Sequence, residues 1–189
     1  LMALKNLCSV FIVLLFSFSL FTTKAIAEPT FVQSKSIADA ADYYGLTFNN
    51  DGTKMYTVHS GRKTDGVVEY ILTSAYDIST ATKNTSKVVH RGGGNGYHVP
   101  TQAVFNNDGT KMFIVNHDGV RTIDYWSLST AFDLSTATFD SEYPIGDQEI
   151  RANSIAFNND GTRMFVAGVG NDSQVRIHEY SLSTGFDLS

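Results

Sequence analysis

This sequence has very little of the chemistry that cross-links a chain. Its 189 residues include one cysteine, Cys8, which lies in an apolar stretch near the N-terminus. If that stretch is a cleaved leader, the remaining chain has neither a disulfide framework nor a thiolate metal site. We therefore expect the folded part to be held together by its core alone.

Clustered positive charge is missing as well. The net charge is −5, and it falls to about −7 when Lys5 and Lys24 leave with the leader. No run of lysine and arginine forms the basic face that binding to a phosphate backbone requires. We expect no nucleic-acid partner.

The first residues have the pattern of a secretory signal. Lys5 gives a short basic start, residues 7–21 are almost wholly apolar, and Ala25-Ile26-Ala27 is a small-x-small cleavage motif. We predict a signal peptide over residues 1–27 and a secreted or periplasmic chain over 28–189. An uncleaved anchor is the alternative, but the apolar run is shorter than the roughly 20 residues that span a bilayer. We expect no membrane span after the signal is removed.

A repeat decides the architecture. The stretch Phe-Asn-Asn-Asp-Gly-Thr-Lys/Arg-Met begins at Phe48, Phe105 and Phe157, in steps of 57 and 52 residues. A second phrase, a small residue and an aromatic residue followed by Asp, Ile or Leu, Ser and Thr, occupies residues 75–80 and 131–136, and its first five positions recur at residues 185–189. The phrase is still incomplete at Ser189, so we expect the natural chain to continue.

Each copy consists of short apolar runs separated by turn residues, which predicts strands and not helices. Asn-Asn-Asp-Gly is typical of a tight turn, since Asn and Asp bond to their own backbone and Gly adopts positive φ. The predicted strands are 44–48, 55–58, 67–72 and 86–90 in the first copy, 101–105, 112–115, 123–128 and 138–143 in the second, and 154–157, 164–167 and 177–182 in the third.

Four strands in 52 to 57 residues is the size of one propeller blade. We predict an all-β fold, a partial β-propeller of about three four-stranded blades, with repeats near 43–97, 98–151 and 152–189. Residues 30–37 are predicted to be an isolated outer strand that closes a ring. A solenoid or a two-sheet sandwich is the alternative, but solenoid coils are shorter and sandwich strands would not repeat one turn sequence. Three blades cannot close a ring, so either the chain is longer or separate chains associate.

The segment Asn-Asp-Gly-Thr-Lys-Met-Phe-Ile-Val-Asn, residues 107–116, resembles the repeat of YVTN-type propellers, which are related to lactonase-like seven-bladed proteins. The resemblance covers residues 43–189. This sequence departs from the family pattern in having Asn50, Asn107 and Asn159 where that repeat usually has proline. The resemblance implies a propeller, but the same blade carries binding proteins and enzymes alike.

Length differences between the copies indicate where function lies. The two repeated phrases have constant spacing, so their turns are expected to share one face of the disc, while loops of variable length share the other. Loops on a rigid scaffold are where binding usually resides. The binding residues predicted on this variable face are His59, Arg62, His98, Asn116, His117, Arg151 and Asp172. His59 and His117 either face a central channel together or are solvated loop residues.

Other polar residues of the repeat are predicted to be structural. Asp51, Asp108 and Asp160 lack the ligand spacing of an EF-hand and are expected to form turns. The hydroxyls of the second phrase are expected to cap turns, because no His or Lys recurs beside them as a base.

Two functions follow. The first is a secreted recognition module without a cofactor, which binds a protein, glycan or surface polymer. The alternative is a lactonase-like hydrolase, for which the resemblance implies a divalent metal such as Ca²⁺ in the central channel. The metal ligands and catalytic residues cannot be assigned by position, so the sequence does not decide whether the protein is an enzyme.

Overall fold

The computed structural model describes residues 29–37, 42–60, 65–88, 98–119 and 121–189. The chain divides into two compact units, residues 1–32 and 33–189. Of the first unit, the described residues 29–32 have no regular structure and are exposed. The signal peptide predicted at 1–27 lies outside the described residues. Within the described ranges, no helix has the length and apolar character needed to cross a bilayer.

The second unit is built from three antiparallel sheets, each a meander in which consecutive strands pair. The first blade contains β1 (Asp42–Phe48), β2 (Lys54–Ser60), β3 (Gly66–Leu72) and β4 (Ala81–Val88); the second contains β5 (His98–Phe105), β6 (Lys111–Gly119), β7 (Thr122–Leu128) and β8 (Ala137–Pro144); the third contains β9 (Glu149–Phe157), β10 (Arg163–Gly170) and β11 (Val175–Ser181). Single 3-10 turns, Ile78–Thr80 and Leu134–Thr136, precede β4 and β8. The predicted all-β, blade-like architecture is confirmed.

The outer strand of the first blade differs from its prediction. β4 begins at Ala81 and not at residue 86, because its register is set by pairing with β3, where Ala81 lies opposite Leu72. Residues 82–87 of β4 are polar and mostly exposed, as on an edge strand, so no apolar pattern marked where it begins. In the third blade, the described residues form three strands, and β11 pairs with β10 alone.

Residues 30–37 pair with no strand among the described residues. Within the second unit, the contacts of residues 33–37 come from side chains: Gln33 Nε2 donates to Asp77 Oδ1 at 2.8 Å, and Lys35 Nζ donates to the Ser79 carbonyl at 3.0 Å. A strand needs a neighbouring ladder of backbone hydrogen bonds, and residues 29–37 are in no ladder here. Completion of another blade by this segment stays a prediction.

The core lies between the blades. We call the side of a blade that faces the next blade its forward face, and the opposite side its rear face. Tyr56, Val58 and Val67 on the forward face of the first blade pack against Met112 and Trp126 on the rear face of the second. The second blade packs on the third in the same way. Fully burying one such side chain contributes about 1.5–3 kcal/mol, so these faces dominate the stability of the unit.

Gly45 lies where β1 of the first blade approaches β5 of the second, and glycine is required there. A Cβ on Gly45 would lie 2.7 Å from the Thr101 carbonyl oxygen. The backbones of β1 and β5 therefore approach more closely than any side chain at residue 45 allows.

Candidate functional site

We call the end of the blades that carries the turns of constant spacing the constant face. It is formed by contacts between the two repeated phrases. In the first blade, the Tyr76 N–H donates to the Gly52 carbonyl at 2.9 Å. The Thr53 N–H and hydroxyl both donate to Asp51 Oδ1, at 2.9 and 2.6 Å. The corresponding bonds recur in the second and third blades. The prediction that these aspartates form turns is confirmed.

An aromatic residue in an unusual backbone conformation closes each of these turns. Tyr76, Phe132 and Phe186 have φ of 59°, 57° and 56°. These values lie in the left-handed region, which residues other than glycine rarely adopt. Their rings lie over the turn glycines, where a Cβ would approach them to 2.2–2.3 Å. Sequence analysis missed this pairing, although the aromatic residue always accompanied the glycine.

The hydroxyls of the second phrase are capping groups, as predicted. Ser79 Oγ donates to Asp77 Oδ1 at 2.7 Å, and Thr80 Oγ1 donates to the Asp77 carbonyl at 2.8 Å. In the second blade, the Ser135 hydroxyl and N–H hydrogen-bond to Asp133 and hold the pKa of that carboxyl below its usual value. These polar groups of the constant face therefore form hydrogen bonds that stabilise the turns.

Polar bonds also join the constant ends of neighbouring blades. Asn50 Nδ2 donates to the Asn107 carbonyl at 2.8 Å, and Asn107 Nδ2 donates to the Asn159 carbonyl at 2.5 Å. At the positions where the YVTN-type repeat usually has proline, this chain thus has an asparagine side chain that links one blade to the next. Tyr56 Oη donates to the Phe132 carbonyl at 2.5 Å, and burial, with the nearby Glu69 carboxylate, raises the pKa of Tyr56.

The variable face is built differently, because its polar residues do not repeat. Asn116 is fully buried at the end of β6, and its Nδ2 donates to Thr122 Oγ1 at 3.3 Å. Thr122 Oγ1 in turn donates to the buried Asp124 at 3.0 Å. On the forward face of the first blade, Ser60 Oγ donates to the buried Asp65 at 2.8 Å. A layer of buried polar groups therefore lies beneath this face.

Thr122 and Asp124 were missed by the sequence analysis. The signal was an aspartate between the apolar and aromatic residues Ile123 and Tyr125 of β7. Such a residue is buried only when it is hydrogen-bonded, and its partner Thr122 lies two residues earlier on the same face of β7, so the Thr-x-Asp spacing was part of the signal.

The two histidines of the variable face are not brought together. His59 is buried on the rear face of the first blade, where its ring lies 6.3 Å from that of Tyr43. The repeat register makes Asn116 the counterpart of His59. His117 follows one residue later, and successive side chains of a strand point to opposite faces. His59 therefore faces away from the second blade, while the half-buried His117 faces the third.

Arg151 and Asp172 are exposed on the variable side of the third blade. Asp172 forms an ion pair with Arg176 in the tight turn between β10 and β11. Beside it, Asn171 Nδ2 donates to the carbonyls of Asp147 and Gly146, at 2.5 and 3.2 Å. These bonds hold two variable loops against each other. Of the other predicted residues, Arg62 lies outside the described residues, and His98 is the first residue of β5, where its backbone pairs with Gly119 of β6.

The divalent metal that the hydrolase alternative implies stays a prediction. Over residues 29–37, 42–60, 65–88, 98–119 and 121–189, no three His, Cys, Asp or Glu side chains come together as ligands. A cavity of about 210 Å³ lies instead toward the constant end of the third blade, lined among others by Tyr143, Met164, Tyr180 and Leu188, and none of the predicted binding residues lines it.

Known structures share this fold at low sequence identity. A functionally unknown protein from Desulfotomaculum acetoxidans is 16% identical, with a TM-score of 0.53 over 77% of this chain. Candidate 6-phosphogluconolactonases from Bacteroides fragilis and Bacteroides uniformis are 11% and 8% identical, with TM-scores of 0.55 and 0.51 over 78% and 75% of this chain. This chain spans 41–42% of the length of these structures. No protein-family model and no curated protein matches the sequence.

The likeness identifies the class of fold: three consecutive blades of a β-propeller of the kind found in lactonase-like proteins. At sequence identities this low, the structural similarity supports the fold and not a shared activity. Membership of the YVTN-type family stays a prediction.

Proposed function

We propose that the variable face is the functional surface of this propeller and that it acts on a lactone of a sugar acid. The main support for this proposal is that polar groups are used differently at the two ends of the blades. Polar groups of the constant face are used in repeated turns, whereas those of the variable face differ from blade to blade. The fold shared with candidate 6-phosphogluconolactonases supports a lactone as substrate.

Two of the predicted residues suit this chemistry. Arg151 is exposed at β9, and its guanidinium can pair with a carboxylate or phosphate of the substrate. His117 lies near the end of β6, the strand that packs against β9 of the next blade. A half-buried imidazole can accept a proton from water as it attacks the lactone carbonyl and return it to the ring oxygen when the C–O bond breaks.

The test is ring opening measured at constant pH with glucono-δ-lactone and with 6-phosphogluconolactone. The purified protein should accelerate hydrolysis over the spontaneous rate. His117→Gln should lower kcat about 100-fold or more, and Arg151→Gln should mainly raise KM. Lys83→Gln on the outer strand β4 is the control and should leave both constants unchanged. A rate equal to that of buffer would overturn the proposal.

A recognition module is the second candidate, favoured by the paired loops around Asp147 and Asn171. Hydrogen bonds hold these exposed loops together, so little conformational entropy would be lost when they contact a polymer. Co-sedimentation with insoluble peptidoglycan, chitin or cellulose tests this candidate. Asn171→Ala should weaken retention, and an unchanged bound fraction would count against it.

Both functions suit a protein outside the cytoplasm, and we propose that residues 1–27 direct it there. Mass spectrometry of the protein from its host should find Glu28 as the first residue. Retention of residues 1–27 would contradict this proposal.

A further inference from the structure

Arg121, between β6 and β7 on the variable face, has a backbone conformation that its residue type disfavours. Its φ is 51°, in the left-handed region. Among the described residues, the other non-glycine residues with positive φ are Tyr76, Phe132 and Phe186, which close the constant turns, and Ser173, which lies in the tight turn between β10 and β11. A strained residue persists only when its surroundings fix it, and such residues cluster at functional sites.

The loop between β8 and β9 fixes Arg121. The Arg121 carbonyl accepts from the Ile145 N–H at 3.0 Å. Ile145 is fully buried in the core between the second and third blades, so this bond ties Arg121 to the core. A Cβ on Gly146 would lie 3.5 Å from Arg121 Cδ, so the aliphatic part of the arginine lies along the loop backbone. The residue is nevertheless exposed to solvent.

The same loop is held from the other side by the third blade. Asn171 Nδ2 donates to the carbonyls of Gly146 and Asp147. Within the loop, the Gln148 N–H donates to the Ile145 carbonyl at 3.1 Å. The support beneath Arg121 is therefore bonded to the turns of two blades, and little conformational entropy would be lost when a ligand contacts it.

The blade fold itself does not require an arginine at this position. Arg121 lies five residues before Trp126, and the corresponding residues before Tyr70 and Tyr180 are Asp65 and Val175. Three unrelated residue types therefore occupy one position of the repeat. The arginine and its strained backbone belong to the second blade alone.

The charge of Arg121 is available to a ligand. The exposed Arg163 and Arg176 form ion pairs with Glu179 and Asp172. Over the part of the chain that the structure describes, no carboxylate forms an ion pair with Arg121. Because a guanidinium presents a planar set of donors that matches a carboxylate or phosphate, the ligand suited to this position is an anion.

We propose that Arg121 is an anion-binding residue of the variable face and that its guanidinium pairs with the carboxylate or phosphate group of a sugar acid. His117 lies four residues earlier in the same hairpin, and Arg151 lies on the strand that follows the loop supporting Arg121. The topology thus places Arg121 in the region already proposed to hold the substrate. The sugar acid as ligand rests on the proposed function, whereas the preference for an anion rests on Arg121.

Binding without turnover tests this inference. Gluconate, 6-phosphogluconate and neutral glucose are titrated into ¹⁵N-labelled protein, and dissociation constants are taken from the NMR shifts. The two acids should bind more tightly than glucose. Arg121→Asn should weaken binding of the acids about tenfold or more and leave glucose unaffected. A loss with both acids identifies the carboxylate as the bound group, and a loss limited to 6-phosphogluconate identifies the phosphate.

Two further variants separate binding from structural and general charge effects. Asparagine tolerates positive φ, so Arg121→Asn should not lower the unfolding midpoint. Arg121→Lys keeps the charge without the planar fork and should bind with intermediate affinity. Arg163→Asn removes the same charge near the constant face and should bind the acids like the unsubstituted protein.

Three results would overturn the proposal: acids that bind no better than glucose, an Arg121→Asn variant with unchanged affinity, or an equal loss in Arg163→Asn. The lactone assay distinguishes its failure from that of the proposed function. Acid binding that depends on Arg121, without lactone opening, would contradict the proposed activity and leave this inference standing. Lactone opening by a protein whose acid binding is unaffected by Arg121→Asn would do the reverse.

Discussion

The carboxylate of Glu69 in the first blade accepts a hydrogen bond from the backbone N–H of Leu134 in the second, at 2.8 Å. Glu69 is fully buried, and its other oxygen accepts from Asn84 at 2.7 Å and lies 3.2 Å from Lys54 Nζ. One anion thus joins two strands of its own blade to the 3-10 turn of the next blade.

Substitution of this anion should weaken the blade interface. We expect Glu69→Leu to lower the free energy of unfolding by about 3 kcal/mol, because the Leu134 N–H and the Asn84 amide lose their acceptor inside the core. Urea denaturation followed by tryptophan fluorescence measures the change, since Trp126 lies in the same core cluster as Leu134. Glu179 lies opposite Phe165 in the third blade, as Glu69 lies opposite Tyr56 in the first, and it is exposed. Glu179→Leu is therefore the matched control and should change stability by about 0.5 kcal/mol or less. Equal effects of the two substitutions would contradict this account.

Gly109→Ala should be strongly destabilising. Gly109 has φ of +74°, and a Cβ there would lie 2.2 Å from Cδ2 of Phe132. We expect a loss of about 2–4 kcal/mol in urea unfolding, from backbone strain together with displacement of the ring. Gly146→Ala is the control, since the nearest atom to its Cβ would be 3.5 Å away. If Gly109→Ala were as mild as the control, the aromatic ring would not constrain the turn.

The turn aspartates should make stability depend on acidity. The Thr110 hydroxyl, which donates to Asp108 Oδ1 at 2.5 Å, is the main cause that lowers the pKa of Asp108 below 3.8. A carboxyl with a lowered folded-state pKa stabilises the protein above its unfolded-state pKa, and this contribution is lost as the pH falls through the folded value. Thr110→Val should therefore raise the pKa of Asp108 in a carboxyl ¹³C NMR titration. Thr138→Val should not, and an unchanged pKa in Thr110→Val would refute the assignment.

Asn116→Asp should make the variable end of the second blade sensitive to pH in the opposite sense. The substitution brings a second buried carboxyl into the chain of bonds that runs through Thr122 to Asp124. Burial and the neighbouring carboxylate should raise the pKa of the new group, because like charges cannot both ionise in a buried site. The variant should therefore be close to the unsubstituted protein near pH 4 and lose stability as the pH rises to 7.

Thermal unfolding at several pH values measures this effect. Asn159→Asp, at an exposed turn of the third blade, is the control and should show no such loss. A constant difference in stability between pH 4 and 7 would count against the buried cluster.

Sequence alone determined the architecture, because the information for a blade is local and is repeated. Asn-Asn-Asp-Gly forms the same turn wherever it occurs, and the apolar runs beside it form the central strands of each sheet. The same local chemistry correctly predicted the roles of Asp51 and Ser79. Prediction was poorest for β4, where pairing with β3 and not composition decides where the strand begins.

Only the tertiary structure decided which side chains meet across blades. His59 and His117 are close in the repeat register, but the pleat of the strands turns them to opposite faces. Glu69 gave no local sign of burial, since its partners are Asn84, 15 residues away, and Leu134, 65 residues away. Contacts between separate blades depend on packing, and no short stretch of sequence encodes packing.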